Sequence, residues 1–503
     1  MKPHEFSQPR PGRAQSPGVE AVRVIVIGTG FSGLCMGVKL REAGEDNFVM
    51  LERANDVGGT WRDNTYPGCA CDVPSHLYSF SFEANPTWSR MYAPQPEIHA
   101  YLRKTAEKYD LLQHVRFNAN VVGARFDEAR QLWCVQSEDG RQFEAPVLVS
   151  GMGGLSNPMI PNIPGLDQFE GATFHSATWQ HDYDFVGKHV AVIGSGASAI
   201  QFVPQIAPQV DQLYYYQRTP AWVVPKEDRP LTDKERQDFA QNPWRQRLAR
   251  VQQYWLMELR FLAFKFKPEW MALVAKVAKH KIRQAVKDPA LQAKLTPDYT
   301  PGCKRLLISN DYYPALARTN VQVITEGIRA VTARGVVTDD GVERPVDAIV
   351  FGTGFKVQDP IPPRTVFGKG GRDLAEVWKD GPEAYMGINV TGFPNFFILM
   401  GPNTGLGHNS MVFMIESQVH YVLEALKTMK ERGIKALDVK PEAQQQFIDQ
   451  VQSDLRSTVW NSGCKSWYLN AQGRNVSLWP SFTFAYRLKT RHFKLSKYTA
   501  EKA

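Results

Sequence analysis

The chain is poor in cysteine, with six in 503 residues: Cys35, Cys69, Cys71, Cys134, Cys303 and Cys464. No two form C-x-x-C and no Cys/His set has zinc-finger spacing, which excludes the redox motif of disulfide reductases and leaves no metal site. A disulfide framework is not expected either; reduced thiols in a cytoplasmic chain are the simpler reading. Long hydrophobic runs are also missing. No run approaches the ~18 apolar residues that would span a bilayer. The first twenty residues are polar and proline-rich without the apolar core of a signal peptide, so a flexible tail over 1–20 of a soluble protein is expected. Charge of one sign is scarce too. Lys+Arg number 59 against 51 Asp+Glu, a net +8 spread along the chain, which does not require nucleic acid but favours anionic ligands such as phosphorylated cofactors. With 43% hydrophobic and 22% charged residues the composition is globular. The length suggests roughly three domain-sized units.

Glycine, in contrast, is concentrated where it carries meaning. VRVIVIGTGFSG (22–33) is a β-branched run ending in G-x-G-x-x-G, with Gly28, Gly30 and Gly33, and a helix-compatible stretch follows. The first glycine permits a tight turn, the second a close approach of pyrophosphate, and the third close helix–strand packing. Glu52, 24 residues beyond Gly28, ends a second apolar run, where a carboxylate can accept from ribose hydroxyls. HVAVIGSGASAIQFV (189–203) repeats the pattern with Gly194, Gly196 and Ala199. Its residue at the equivalent spacing is Arg218, followed by Thr219. A guanidinium accommodates a ribose 2′-phosphate that a carboxylate would repel. The fold class expected is therefore α/β, with two Rossmann-like dinucleotide-binding domains, one for FAD and one for NADP(H). Two dinucleotides in one chain imply electron transfer between them.

The remaining segments fill in the architecture. Asp139–Gly140 and Asp340–Gly341 mark hairpin turns. Residues 97–108 and 411–430 read as helices, 347–355 as a buried strand ending in a glycine turn, and NPMIPNIPG (157–165) as a crossing between domains. Trp244, Leu248, Val251, Trp255, Leu259, Leu262 and Phe266 recur at helical steps, with basic residues between them. A helical insertion packed on its neighbours is expected there, with contact to a membrane surface or a hydrophobic substrate as the alternative. The expected division is 21–155 and 386–503 for the FAD domain, 165–230 and 296–385 for the NADP domain, and 231–295 for the insertion.

Two longer patterns sharpen the function. FEGATFHSATW (169–179) fits F-x-G-x-x-x-H-x-x-x-W. With 27 Phe, 38 Gly, 11 His and 12 Trp in the chain, it would arise by chance roughly once in a thousand such sequences. GTWRDNTYPGCACD (59–72) fits G-x-W-x-x-x-x-[FY]-P-G-x-x-x-D. With QRTP (217–220), Lys304–Arg305, DYY (311–313) and Ser466–Trp467, the chain resembles the Baeyer–Villiger monooxygenases, class B flavoprotein monooxygenases, over nearly its whole length. Relatives that oxidise nitrogen and sulfur usually carry Tyr or Phe where Trp179 stands.

The resemblance implies an enzyme using NADPH, FAD and O2 to insert one oxygen atom beside a ketone carbonyl, giving an ester or lactone through a C4a-peroxyflavin. It implies Arg305 as the cation that stabilises an anionic peroxide, and Asp72 as its orienting partner. It adds Gly59, Thr60, Trp61, Asp72 and Tyr78 to the cofactor-binding set. Lys304 would assist Arg218 at the 2′-phosphate and Trp467 would contact the nicotinamide ribose. His175 and Trp179 would be conformational residues of a domain motion, with NADP+ retained. No metal and no membrane span are expected, and a monomer or weak homo-oligomer. Tyr66, Trp467 and the insertion's aromatics point to apolar ketones. A sulfide- or amine-oxidising flavin monooxygenase and a non-catalytic dinucleotide sensor remain alternative readings.

Overall fold

Two five-stranded parallel sheets organise the chain, and the computed structural model describes residues 18–266, 268–357 and 361–502. The first sheet runs in the order Phe396–Ile398, Val147–Ser150, Val24–Ile27, Phe48–Leu51, Val115–Arg116, every neighbour parallel. Val24–Ile27 is buried at all four positions, as parallel strands covered on both faces are. Successive residues sort to opposite sides: Val24 and Val26 join one core, Ile25 and Ile27 another. The second sheet repeats this in the order Val321–Ile324, Gln212–Tyr216, His189–Ile193, Ala348–Phe351, Ala172–His175. Val190 and Val192 face one core, Ala191 and Ile193 the other.

A mixed sheet flanks the first unit, with its hairpin turning at Asp139–Gly140 and Gly140 at φ +90°. The expected tail over 1–20 falls largely on residues 1–17, outside the described residues, while Val19–Ala21 is an edge strand of this sheet paired with Gln142–Ala145. Val366–Phe367 also pairs here, with Ala124 and Arg125, and Leu374, Trp378 and Ala384 pack with Trp133 and Phe396. Val366–Phe367, Leu374, Trp378 and Ala384, expected with the second unit, thus pair and pack beside the first. A long-range pairing decides this, and nothing local announces it.

Among the described residues the insertion holds five α-helices between Asp233 and Leu295. Local chemistry sets their starts. Thr232 and Glu235 form a capping box, Asp288 caps Ala290 and Leu291, and Pro243 and Pro289 occupy first turns. The expected packing of the insertion's apolar stripe is not what the structure shows. The segment divides into Pro243–Leu259 and Phe261–Lys265, and Trp244, Leu248, Val251, Trp255, Leu259 and Phe266 lie exposed at 47–59%. Gln246, Met257, Glu258, Phe261 and Phe264 are buried instead. Glu258 explains the choice of face: its carboxylate takes the Thr483 N–H and the side chains of Thr483 and Asn409, which fixes the helix by its polar side.

The expectation of reduced thiols fails at one pair. Cys303 and Cys464 are bonded across 161 residues, with Cα atoms 6.2 Å apart. Cys35, Cys69, Cys71 and Cys134 are free. The pair joins the segment of Lys304 and Arg305 to that of Trp467. Among the described residues no helix is long and apolar enough to cross a membrane.

Candidate active site

Each cradle is a strand, a glycine turn and a helix start. In the first, Gly28 has φ +91°, and an added Cβ would sit 2.8 Å from the Gly151 carbonyl oxygen. At Gly33 it would strike the Gly28 carbonyl oxygen at 1.8 Å, so the helix lies flush on the turn. Gly30 differs, since a methyl there would meet no protein atom nearer than 3.7 Å. Packing does not demand that glycine, but a phosphate approaching the backbone does. The helix Phe31–Glu42 has no side-chain cap and no acidic residue in its first turn, which leaves its first N–H groups to an anion.

Glu52 lies at the end of Phe48–Leu51, 3% exposed. The Thr29 N–H and hydroxyl both donate to Oε2, at 3.1 and 2.6 Å. The Ala54 N–H and Arg62 Nη1 donate to Oε1, at 3.0 and 2.8 Å. All four lone-pair positions are taken, so a ribose hydroxyl must share or displace one of these donors. Thr29 and Arg62 were not singled out from sequence, although Arg62 stands inside the 59–72 motif.

The second cradle reproduces the first. Gly194 has φ +113°, and its Cβ would sit 2.4 Å from the Gly352 carbonyl oxygen; at Gly196 nothing comes nearer than 3.9 Å. The helix Ala199–Ile206 likewise lacks a side-chain cap and a first-turn acid. The Ser195 hydroxyl ties the turn to the Thr219 carbonyl at 2.9 Å. Arg218 is exposed just past the strand Gln212–Tyr216. Burial and then the Arg218 charge push the Lys304 ammonium below its usual range, which places the two cations side by side. An anion between them would relieve both. Both cradles therefore fit a dinucleotide, and the second fits one with an extra phosphate.

The 59–72 motif straps the cradles together. Gly59, at φ +54°, lies against Gly30, where its Cβ would come within 3.1 Å of the Gly30 Cα. The Thr60 hydroxyl reaches the Leu155 carbonyl at 3.5 Å, and Trp61 Nε1–H donates to the Tyr78 hydroxyl at 3.1 Å. At the far end Gly68 lies so close to the second cradle's helix that a Cβ would sit 2.6 Å from the Gln201 carbonyl oxygen. Gln201 accepts from the Tyr66 hydroxyl at 3.0 Å and donates to the Ala70 carbonyl at 3.0 Å. Tyr66, expected to hint at substrate, is instead buried against Phe202 in the second unit's core.

Asp72 closes the strap. Its Oδ2 accepts from Arg305 Nε at 3.1 Å and Nη2 at 2.6 Å. The Asp72 charge, more than any other influence, holds the Arg305 guanidinium above its already high range, so it is a permanent cation. About a third of each side chain meets solvent, 35% for Arg305 and 30% for Asp72, so the pair is within reach of a ligand. Tyr468, unnoticed in the sequence, is buried beside it, and its hydroxyl has no partner among the described residues. Trp467, 47% exposed, lies against the Tyr468 ring at 4.4 Å.

His175 and Trp179 lie in the second unit. His175 ends an edge strand of the second sheet opposite Phe351, with Nδ1 accepting from the Ala177 N–H at 3.1 Å and the Gly354 backbone beside the ring. Burial lowers its pKa. Trp179 packs on Phe174, Phe185 and Phe202.

The flavin-binding monooxygenase-like family profile matches residues 21–366. A Baeyer–Villiger monooxygenase of Pseudomonas aeruginosa is 55% identical over 494 residues, covering 98% of this chain and 93% of that protein. A closed crystal structure of cyclohexanone monooxygenase superposes with a TM-score of 0.85 at 28% identity, over 96% of this chain and all of that one. The crystal structure of the OTEMO complex with FAD and NADP gives 0.86 at 28% identity over the same shares. With both cradles, the strap and these relatives in agreement, the chain belongs to the flavin-binding monooxygenase-like family, among its Baeyer–Villiger monooxygenases.

Proposed function

We propose that the protein is an NADPH- and O2-dependent FAD monooxygenase that inserts one oxygen atom beside a ketone carbonyl, giving an ester or lactone. The observation that carries this reading is the Arg305 guanidinium, gripped by Asp72 at the end of the strap and one-third open to solvent. Bound FAD and NADPH supply oxygen activation and the two electrons. The chain's own residues do the rest. Gly28, Gly30, Gly33, Gly59, Thr60, Trp61 and Tyr78 shape the FAD side, with Glu52 directed at its ribose. Gly194, Gly196 and Ala199 receive the NADP pyrophosphate, Arg218, Thr219 and Lys304 its 2′-phosphate, and Trp467 its nicotinamide ribose. Arg305 stabilises negative charge on oxygen while the new bond forms, without accepting or releasing a proton, and Asp72 keeps the fork aimed. His175 and Trp179 act through the motion of the second unit on the first.

The domain reading that goes with this is 18–155 and about 361–502 for FAD, 165–230 and 296–357 for NADP, and 231–295 as the insertion. A cytoplasmic location rests on the demand for NADPH, since the Cys303–Cys464 bond withdraws the argument from free thiols. The expected state is a monomer or weak homo-oligomer.

The test is oxygen-dependent NADPH oxidation over a panel of ketones and a thioether, with product masses, in wild type and Arg305→Ala. The variant is expected to keep its FAD and lose ester formation by about 10²–10³-fold, the cost of removing one fixed donor to a developing oxyanion. Wild-type ester yield in the variant would overturn the assignment.

A further inference from the structure

Helix Pro243–Leu259 turns its oily side outward. Trp244, Leu248, Val251, Trp255 and Leu259, at steps of four, three, four and four, share one face, and each is 47–59% exposed. The face continues onto a helix from the far end of the chain. The Trp255 ring lies 6.0 Å from that of Phe484 in Thr483–Thr490, and Leu488 stands one turn further on at 61% exposure. Phe484 stacks on Phe482, and Phe482 on the exposed Phe266, so the aromatics form one connected surface. Trp270, Leu273 and Val277 are also exposed at helical steps, at the start of and along the next helix, Met271–Ala285. An apolar area of this extent on a protein surface marks a contact.

The charge around it says with what. Residues 243–285 hold ten Lys and Arg against two acids, Glu258 and Glu269, and Glu258 is fully buried. The stretch from Phe482 to Lys497 adds five basic residues and no acid. Arg245, Lys265 and Arg487 pair with Asp238, Asp454 and Glu416, and Arg250 turns inward onto the His76 and Ser79 carbonyls, which leaves Arg247, Lys276, Lys279, Lys281, Arg283 and Lys489 among the exposed cations of these segments. A second copy docking face to face would press like charges together. An anionic surface would satisfy them while burying the stripe, and Trp, Phe and Leu on one side with Lys and Arg around them are what interfacial helices carry.

We propose that this face, built from the insertion and the Thr483–Thr490 helix, seats the enzyme on anionic lipid bilayers, with its apolar side chains in the headgroup boundary and its basic residues on the phosphates. FAD-loaded enzyme should co-sediment with vesicles of phosphatidylcholine containing about one-third phosphatidylglycerol, should bind pure phosphatidylcholine at least about tenfold more weakly, and should be released as salt rises. Trp255→Ser/Leu259→Ser and, separately, Arg247→Glu/Lys276→Glu should each lower partitioning at least about tenfold, with FAD content and NADPH oxidation unchanged. Enzyme left in the supernatant, equal binding to both vesicle types, or variants that bind like wild type would overturn the proposal. So would a concentration-dependent dimer in sedimentation velocity that the Trp255→Ser/Leu259→Ser change abolishes, because the face would then belong to a second copy.

Discussion

The two cradles share a glycine turn and differ in the side chain that follows the next strand. Gly28 is backed by Gly151 as Gly194 is backed by Gly352, and at each middle glycine an added Cβ would meet nothing nearer than ordinary contact distance, 3.7 Å at Gly30 and 3.9 Å at Gly196. The residue beyond the next strand is Glu52 in one, 3% exposed and holding four donors, and Arg218 in the other, open to solvent. The same turn is therefore read two ways. An enclosed acid suits a ligand that stays, and an open cation suits a phosphorylated one that comes and goes. The helices differ in the same sense. Phe31–Glu42 runs twelve residues, nine of them buried, whereas Ala199–Ile206 runs eight with Pro204 inside, which removes a donor and helps keep it short.

The sharpest way to break this likeness is to add one methyl to each cradle. Gly33→Ala drives a Cβ to 1.8 Å from a backbone oxygen, which no side-chain shift relieves, so FAD-loaded protein should be lost altogether, read as flavin absorbance per chain. Gly196→Ala has 3.9 Å of clearance and should fold with full FAD, yet show a raised KM for NADPH. Loss of FAD-loaded protein in Gly196→Ala as in Gly33→Ala would show that Gly196 is a structural glycine too. Next in size, Arg218→Ala should raise the KM for NADPH by about 10–100-fold, the worth of a charged hydrogen bond, and leave NADH use unchanged. An unaltered NADPH-over-NADH preference would end the contrast with Glu52.

The smallest effect separates the fold from both cradles. Burial, aided by the Arg250 and Arg260 charges, lowers His76 to about 4 and His408 to about 3 from 6.5. Both are neutral in the fold and gain a proton on unfolding below about pH 6.5, so the unfolded state binds more protons there. Stability from these groups is complete above that pH and is lost as pH falls toward 4 and then 3, by about 1.4 kcal/mol per pH unit for each. Glu258, whose pKa burial raises, opposes part of this just above its usual range. Thermal melts of His408→Gln against wild type between pH 7 and 5 should show a flatter profile in the variant.

Much of the site was legible because it is local. Each cradle is written within about thirty residues, and both Asp–Gly turns lie between the strands they join. The strap's spacing made sense only once Gly68 was seen against Gln201, over 130 residues later. What stayed hidden is what distant chain segments decide. A helical period says that Trp244 and Trp255 share a face, but Thr483 and Asn409, gripping Glu258 on another side, determine where that face looks. Cys303 and Cys464 meet only because two loops do, and Val366 returns to the first unit through pairing with Ala124. The occupied state of Glu52 is likewise invisible without Thr29 and Arg62 beside it.

Asp72 follows Cys71, which is rooted in the core of the first unit, and Arg305 precedes Leu307, rooted in that of the second. Both nitrogens of the fork rest on a single oxygen. Any rotation that parts the halves withdraws that one anchor from both at once, and any rotation that shuts them restores it. Were the units to turn against one another, the guanidinium's aim would follow the angle between them, since its grip hangs on that single oxygen and Arg305 is a permanent cation.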